Sequence, residues 1–247
     1  MKFSSLLLLA FLLLSCEPIT EIERNPSLVP EDLTKHSEEF RKEIITVTEG
    51  IHVAIGYSLA NSMMVEGEEG KIVIDTTGTI ETGREVRSIF DRINPYPIKA
   101  VIYTHNHGDH VFGARAFVDS ADTEVIAHIT TKEYINRILG ILRPIISKRS
   151  ARMFGSAIPE EEIENNGIGP FLEIGREGRQ TSLVYPTREF EDYLKLVLSG
   201  IDIHLFHAPG ETNDQIFVWL PKFKALFPGD NFYRAFPNLY TIRGTPY

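Results

Sequence analysis

The stretch Thr104–His110, THNHGDH, places three of the chain's eight histidines and one aspartate within seven positions. Neutral imidazole and carboxylate are the ligands zinc takes when thiolates are absent. Packed this closely in a folded protein, such groups repel or desolvate one another unless a cation sits between them. A single histidine there would read as part of a polar loop. Four ligand-capable side chains in six residues, His105, His107, Asp109 and His110, read as a metal-binding cluster.

The elements around the cluster must hold it in place. IKAVIYTH is a continuous apolar run with the look of a buried strand, and the cluster sits at its C-terminal end. Open α/β sheets gather their sites at such edges. GKIVIDTTG is a second buried strand, ending in Asp75. ITVTEGIHVAIG and NSMMVEG read as earlier strands, with Gly50 and Gly56 at bends. Over Glu81–Ile93, the residues Val86, Ile89, Phe90 and Ile93 share one helical face, and Asn94, Pro95 and Pro97 end the helix. A short helix over Gly113–Val118 and a strand, EVIAHI, come next. This alternation predicts an α/β fold with a largely parallel sheet covered by helices. Residues Thr131–Leu142 carry helical spacing, within a less regular stretch that reaches Gln180 and suits an insertion lining a pocket. Its glycine-rich runs lack the strand-turn-helix setting of a nucleotide fingerprint. Glu189–Leu198 again fits helical spacing, before three strands, IDIHLFHAPG, DQIFVWLP and FKALFPGD. His128 and His204 read as structural histidines of strands, and His207 stands close enough to the following turn to support a site there.

Composition bounds the function. The 247 residues are 43% hydrophobic and 24% charged, with net charge −9 and no basic stripe, which argues against nucleic acid as a partner. No GxSxG motif supports a serine nucleophile. The first sixteen residues stand apart: Lys2, an apolar run from Leu6 to Leu14, then Ser15 and Cys16. That run is shorter than the ~20 residues that cross a bilayer and has the shape of a secretory signal. LLSC also resembles the bacterial lipobox, which implies lipidation of Cys16, the single cysteine of the chain. The expectation is an exported protein at the periplasm or cell surface, lipid-anchored to a bacterial membrane and touching it through that lipid alone. Residues 17–42 are polar, with Pro18, Pro26 and Pro30, and read as a tether to a domain over 43–247.

THNHGDH resembles the HxHxDH signature of the metallo-β-lactamase superfamily. Three further segments resemble its pattern: KIVID, HAPGETNDQIFVWLP, against the usual GHTxDxxxxWLP, and LFPGD. The resemblance implies an αββα sandwich and two metal ions, zinc in the first instance. It places His105, His107 and Glu211 on one ion and Asp109 and His110 on the other, with Asp230 bridging and Asp75 orienting ligands. Glu211 stands where most of the superfamily has histidine, and this looks like the alkyl sulfatase branch. DNFYRAFPNLYTIRG and FGSAIP resemble the same branch, although its bridging residue is often glutamate.

Likeness to that branch implies a small anionic ester as substrate, an alkyl sulfate, cleaved by a metal-bound hydroxide that Asp109 and Asp230 hold. Asn231 and Arg243 would bind the sulfate, the guanidinium through two oxygens at once. Met153, Phe154 and Phe171 would receive an alkyl tail or simply pack. No histidine comes after His207, so the usual last ligand of the second ion has no counterpart before Tyr247. The domain is therefore expected to be incomplete at its C-terminus. The resemblance puts a dimerisation region in the full-length protein, hence a homodimer. Two other functions fit the same residues. One is a hydrolase of this fold acting on a lactam, lactone or thioester, and the other is a membrane-tethered metal-binding protein without catalysis.

Overall fold

The computed structural model describes residues 30–234. Cys16 and Arg243, and with them the expected signal sequence, lipid anchor and sulfate-binding arginine, lie outside the described residues. Seven strands form one sheet in chain order: β1 (Glu43–Thr48), β2 (Ile51–Ile55), β3 (Ser62–Glu66), β4 (Lys71–Ile74), β5 (Ile98–Ile102), β6 (Glu124–His128) and β7 (Arg188–Phe190). Four make a second, antiparallel sheet: β8 (Tyr193–Leu198), β9 (Ile201–His207), β10 (Ile216–Leu220) and β11 (Ala225–Phe227).

Only β4 to β7 pair in parallel, whereas β1 to β4 are antiparallel. The expectation of a largely parallel sheet is thus corrected for its first half. Connections as short as Glu49–Gly50 permit hairpins alone, and a parallel pairing needs a crossover such as α2 (Ile80–Ile93).

Strand alternation sends side chains to two cores. Ile72, Ile74 and Ile102 face the second sheet and meet Ile203, Leu205 and Val218. Val73, Val101 and Tyr103 face the other way, onto Val86 and Phe90 of α2. The described layers are therefore helix, sheet and sheet. On the outer face of the second sheet Tyr193, Val197 and Leu226 are exposed, and the expected fourth layer is not among the described residues.

Glu189–Leu198 is not a helix. Tyr193 and Val197, four apart as on one helical face, both face solvent, while Leu194, Leu196 and Leu198 alternate onto the core. Ser199 and Gly200, both with positive φ, make the two-residue turn that pairs Leu198 with Ile201. Gly113–Val118 contains a single 3-10 turn, Ala114–Ala116. The helix expected to reach Leu142 stops sooner as α4 (Thr131–Leu139), and α5 (Arg143–Met153) comes next without burying a residue. Part of the expected tether is folded: α1 (Glu31–Ser37) precedes a 3-10 turn, Glu38–Phe40. Ser37 Oγ donates to the carbonyl of Glu164 (3.1 Å) and accepts from Asn165 Nδ2 (2.8 Å), which docks this segment on the insertion. Among the described residues no helix is long and apolar enough to cross a membrane.

Candidate metal centre

β4 and β5 end side by side, and their last residues organise the histidine cluster. Asp75 comes directly after β4 with φ 53°, a left-handed backbone that turns its carboxylate toward β5. One oxygen accepts from Thr104 N (2.7 Å); the other accepts from Thr104 Oγ1 (2.7 Å) and His110 Nδ1 (2.8 Å). Thr104 Oγ1 in turn accepts from Nδ1 of His105 (3.0 Å). Asp75 therefore fixes the proton of both imidazoles on Nδ1, directly for His110 and through Thr104 for His105, and leaves Nε2 of each with a lone pair. Just beyond His107 the chain makes one helical turn, α3 (Gly108–Val111), which carries Asp109 and His110. Thr104 O accepts from Ile216 N (2.9 Å), joining the cluster to the second sheet.

That second sheet supplies two carboxylates. Glu211 lies in the loop between β9 and β10, and Asp230 lies in a 3-10 turn just after β11. The two loops meet closely. A Cβ on Gly210 would stand 1.9 Å from Asn231 Oδ1, so only glycine fits. Asn231 Oδ1 accepts from Glu211 N (3.1 Å), and Asn231 Nδ2 donates to the carbonyl of Ala208 (2.8 Å). Both ends of this amide are engaged with backbone, so Asn231 braces the Glu211 loop.

All six expected ligands converge. Donor atoms of His105, His107, Glu211 and Asp230 lie within 4.8 Å of one another. His107 Nδ1 is 3.4 Å from Glu211 Oε1, and His105 Nε2 is 4.0 Å from Asp230 Oδ2. His110 Nε2 is 3.7 Å from Asp109 Oδ2 and 3.4 Å from Asp230 Oδ1, so Asp230 stands between the two groups. Two donors ~2.1 Å from one zinc ion stand ~3.4 Å apart in a tetrahedron and ~4.2 Å at most, which these four paired separations satisfy.

Buried polar atoms normally have partners. Nε2 of His105 is buried and has no hydrogen-bond partner, and Nε2 of His110, also buried, faces only the carboxylates of Asp109 and Asp230. Burial, and then the neighbouring His110, pushes the His105 imidazole down to about 4, so it is neutral and ready to ligate. Burial also disfavours a proton on His110, but the charges of Asp230, Asp75 and Asp109 outweigh it and raise its pKa well above the ordinary value. A cation would supply the positive charge that this proton otherwise provides. The residues present fit a divalent metal.

Three features escaped the sequence. Tyr233 places its hydroxyl 2.5 Å from Glu211 Oε2 and 2.6 Å from Asp230 Oδ2. Asp214 is fully buried and accepts from Asn106 Nδ2 (2.5 Å), holding a residue of the histidine loop from the second sheet. Glu173, in the insertion, is buried against Ser58, Thr82 Oγ1 (3.2 Å) and Gly78 N (3.3 Å). Asp214 stands at the aspartate position of the GHTxDxxxxWLP pattern, whereas Tyr233 and Glu173 obey no recognisable spacing. His128 and His207 stack on each other (3.9 Å, 16°) away from this donor set. His128 Nδ1 meets Thr130 Oγ1 (2.8 Å) and His207 Nε2 donates to the carbonyl of Asn213 (2.7 Å), a structural arrangement.

A cavity of about 360 Å³ opens beside the centre, with Asp109, His110 and Asp230 at its polar end and Phe40, Leu59 and Ile168 among its apolar walls. Ile168 belongs to the insertion, as expected, but Met153, Phe154 and Phe171 do not line the cavity. Phe154 packs in a small core with Leu59 and Leu172 instead, with Met153 against it.

The family model of the Metallo-beta-lactamase superfamily matches residues 55–242. The chain is similar to the linear primary-alkylsulfatase of Pseudomonas sp. (strain ATCC 19151), 33% identical over 192 residues, covering 74% of this chain and 36% of that protein. It is similar to the (R)-specific secondary-alkylsulfatase of Pseudomonas sp., 30% identical over 201 residues, covering 76% and 30%. The solved stereoselective inverting sec-alkylsulfatase from Pseudomonas sp. shares the fold, with TM-score 0.67 and 24% identity over 75% of this chain and 30% of that one. The chain thus spans about a third of the length of these proteins. With a two-sheet sandwich, a histidine cluster at one sheet's edge and carboxylates closing on it from the other, the chain belongs to the metallo-β-lactamase superfamily.

Proposed function

We propose that this chain carries the catalytic centre of a zinc-dependent hydrolase of alkyl sulfate esters. One observation bears most of the weight: six ligand side chains from two sheets converge beside a cavity walled by Phe40, Leu59 and Ile168 together with polar residues such as Ser58, Asn61 and Arg234. Alkylsulfatases among the relatives support the substrate class. Divalent cations bound here would supply Lewis acidity and lower the pKa of water.

The chain's own residues do the rest. Asp75 and Thr104 keep the Nε2 lone pairs of His105 and His110 aimed inward. Asp109 and Asp230, at the polar end of the cavity, orient the attacking water and take up its proton. The apolar walls accept the alkyl chain and keep bulk water from the ester. Arg243 bonds the sulfate oxygens. Export and a lipid on Cys16 would place this activity at the cell surface.

The test is sulfate release from dodecyl sulfate by purified protein, with nitrocefin and a lactone as comparators. Sulfate release that a chelator abolishes and zinc restores supports the proposal. Zinc-loaded protein that opens the lactam or lactone and spares the sulfate ester refutes the substrate class. Zinc binding with no turnover of any of them refutes catalysis.

A further inference from the structure

We propose that Tyr233 is a positioning residue that makes a one-oxygen ligand of Glu211. This rests on the metal-binding reading above. The phenol lies between Oε2 of Glu211 (2.5 Å) and Oδ2 of Asp230 (2.6 Å) and has one proton to give. Both oxygens of Asp230 face imidazoles, Oδ1 at 3.4 Å from His110 Nε2 and Oδ2 at 4.0 Å from His105 Nε2, whereas Glu211 turns only Oε1 inward, 3.4 Å from His107 Nδ1, so the proton belongs on Glu211 Oε2.

A carboxylate can in general grip a cation with one oxygen or with two. A hydrogen bond on one oxygen fixes the rotation of the group and weakens that oxygen as a ligand, so the cation meets the other. The two carboxylates arrive from different loops and repel each other, and one shared donor between them eases that repulsion. Asn231 braces the same two loops through backbone, so the pair is latched twice, once by amide and once by phenol. Tyr233 also lines the cavity, beside Asp230.

The experiment compares wild type with Tyr233→Phe, which removes one oxygen from a partly buried ring and keeps its shape. Zinc affinity is measured by competition with a chromogenic chelator, and ligand geometry by the visible absorption of cobalt(II) in the same site. Tyr233→Phe is expected to bind zinc ~10- to 100-fold more weakly. Its cobalt(II) spectrum should weaken and shift as Glu211 becomes a two-oxygen ligand and coordination number rises. Urea unfolding of the metal-free proteins reads the cost of the lost hydrogen bond separately, and the cobalt(II) spectrum reports a ligand geometry that packing alone would not move. A variant that matches wild type in zinc affinity and cobalt(II) spectrum overturns the inference and leaves the metal-binding reading standing. Wild type that binds neither ion overturns both.

Discussion

Replacing Asp75 by asparagine keeps the side chain's volume and removes its charge. In the wild-type protein three donors converge on this carboxylate: Thr104 N, Thr104 Oγ1 and His110 Nδ1. The amide offers one acceptor oxygen in place of two, so one of two conflicts arises. With its nitrogen toward Thr104 N, two N–H groups face each other in a buried site. With its nitrogen toward His110, the imidazole must move its proton to Nε2, and the lone pair that faces the centre is lost. Thr104 Oγ1 also loses its acceptor in that arrangement, and with it the hold on His105 Nδ1. A buried hydrogen bond to a charged group is worth about 1.5–3 kcal/mol. Losing one should destabilise the metal-free protein by about that amount. Changes of this kind behind a metal ligand cost ~10- to 100-fold in affinity, or about 1.4–2.7 kcal/mol. Urea unfolding and chelator competition for zinc measure the two effects side by side. Zinc affinity within twofold of wild type, in a correctly folded Asp75→Asn protein, would refute the claim that Asp75 sets the protons of His105 and His110.

Packing and charge set two further outcomes. Glu173 is buried, and burial raises its carboxyl pKa despite the hydrogen bond from Ser58. The folded state then holds this proton at higher pH than the unfolded chain, so wild-type stability falls as pH rises from ~4.3 through the folded value. Glu173→Gln lacks that loss, and it should be the more stable protein at pH 7 with the difference vanishing near pH 4; urea midpoints at both pH values check it. Gly210→Ala puts a methyl group where Asn231 Oδ1 sits and should cost about 1–3 kcal/mol as an overpacked contact. Removing the clash with Asn231→Ala in the same chain should recover part of it, which a double-mutant cycle of unfolding midpoints reads directly.

The residues of the centre were legible because metal binding constrains residue type and spacing together. His105 to His110 crowd one strand end, and Glu211 and Asp230 sit in segments whose pattern is set by the superfamily. Residues that act by hydrogen bonding carry no such spacing. Tyr233 and Glu173 could be any polar residue until the fold brings them against their partners. Asn231 was visible as a residue but not in its role, because its engagement with the backbone of Ala208 and Glu211 depends on two loops meeting. The elements divide in the same way. Central strands such as β4 and β5 are buried on both faces and read as unbroken apolar runs. β8 is an outer strand whose exposed Tyr193 and Val197 mimic a helical stripe, and the Ser199–Gly200 turn was its better signal. α5 buries nothing, so its sequence has no apolar stripe to find, and Pro144 in its first turn is the one cue it offers.

The donors of this centre come from opposite sheets, with Thr104 O and Ile216 N bonded across the seam. No short peptide cut from the chain contains them all, although His105 to His110 lie together. A divalent ion bound here would meet its full set of donors only once Glu211 and Asp230 have reached the histidine loop, after slow, non-local steps of folding. Completion of such a centre would then be a stopwatch for a late event of folding. Contacts made that late act chiefly by slowing escape from the native state.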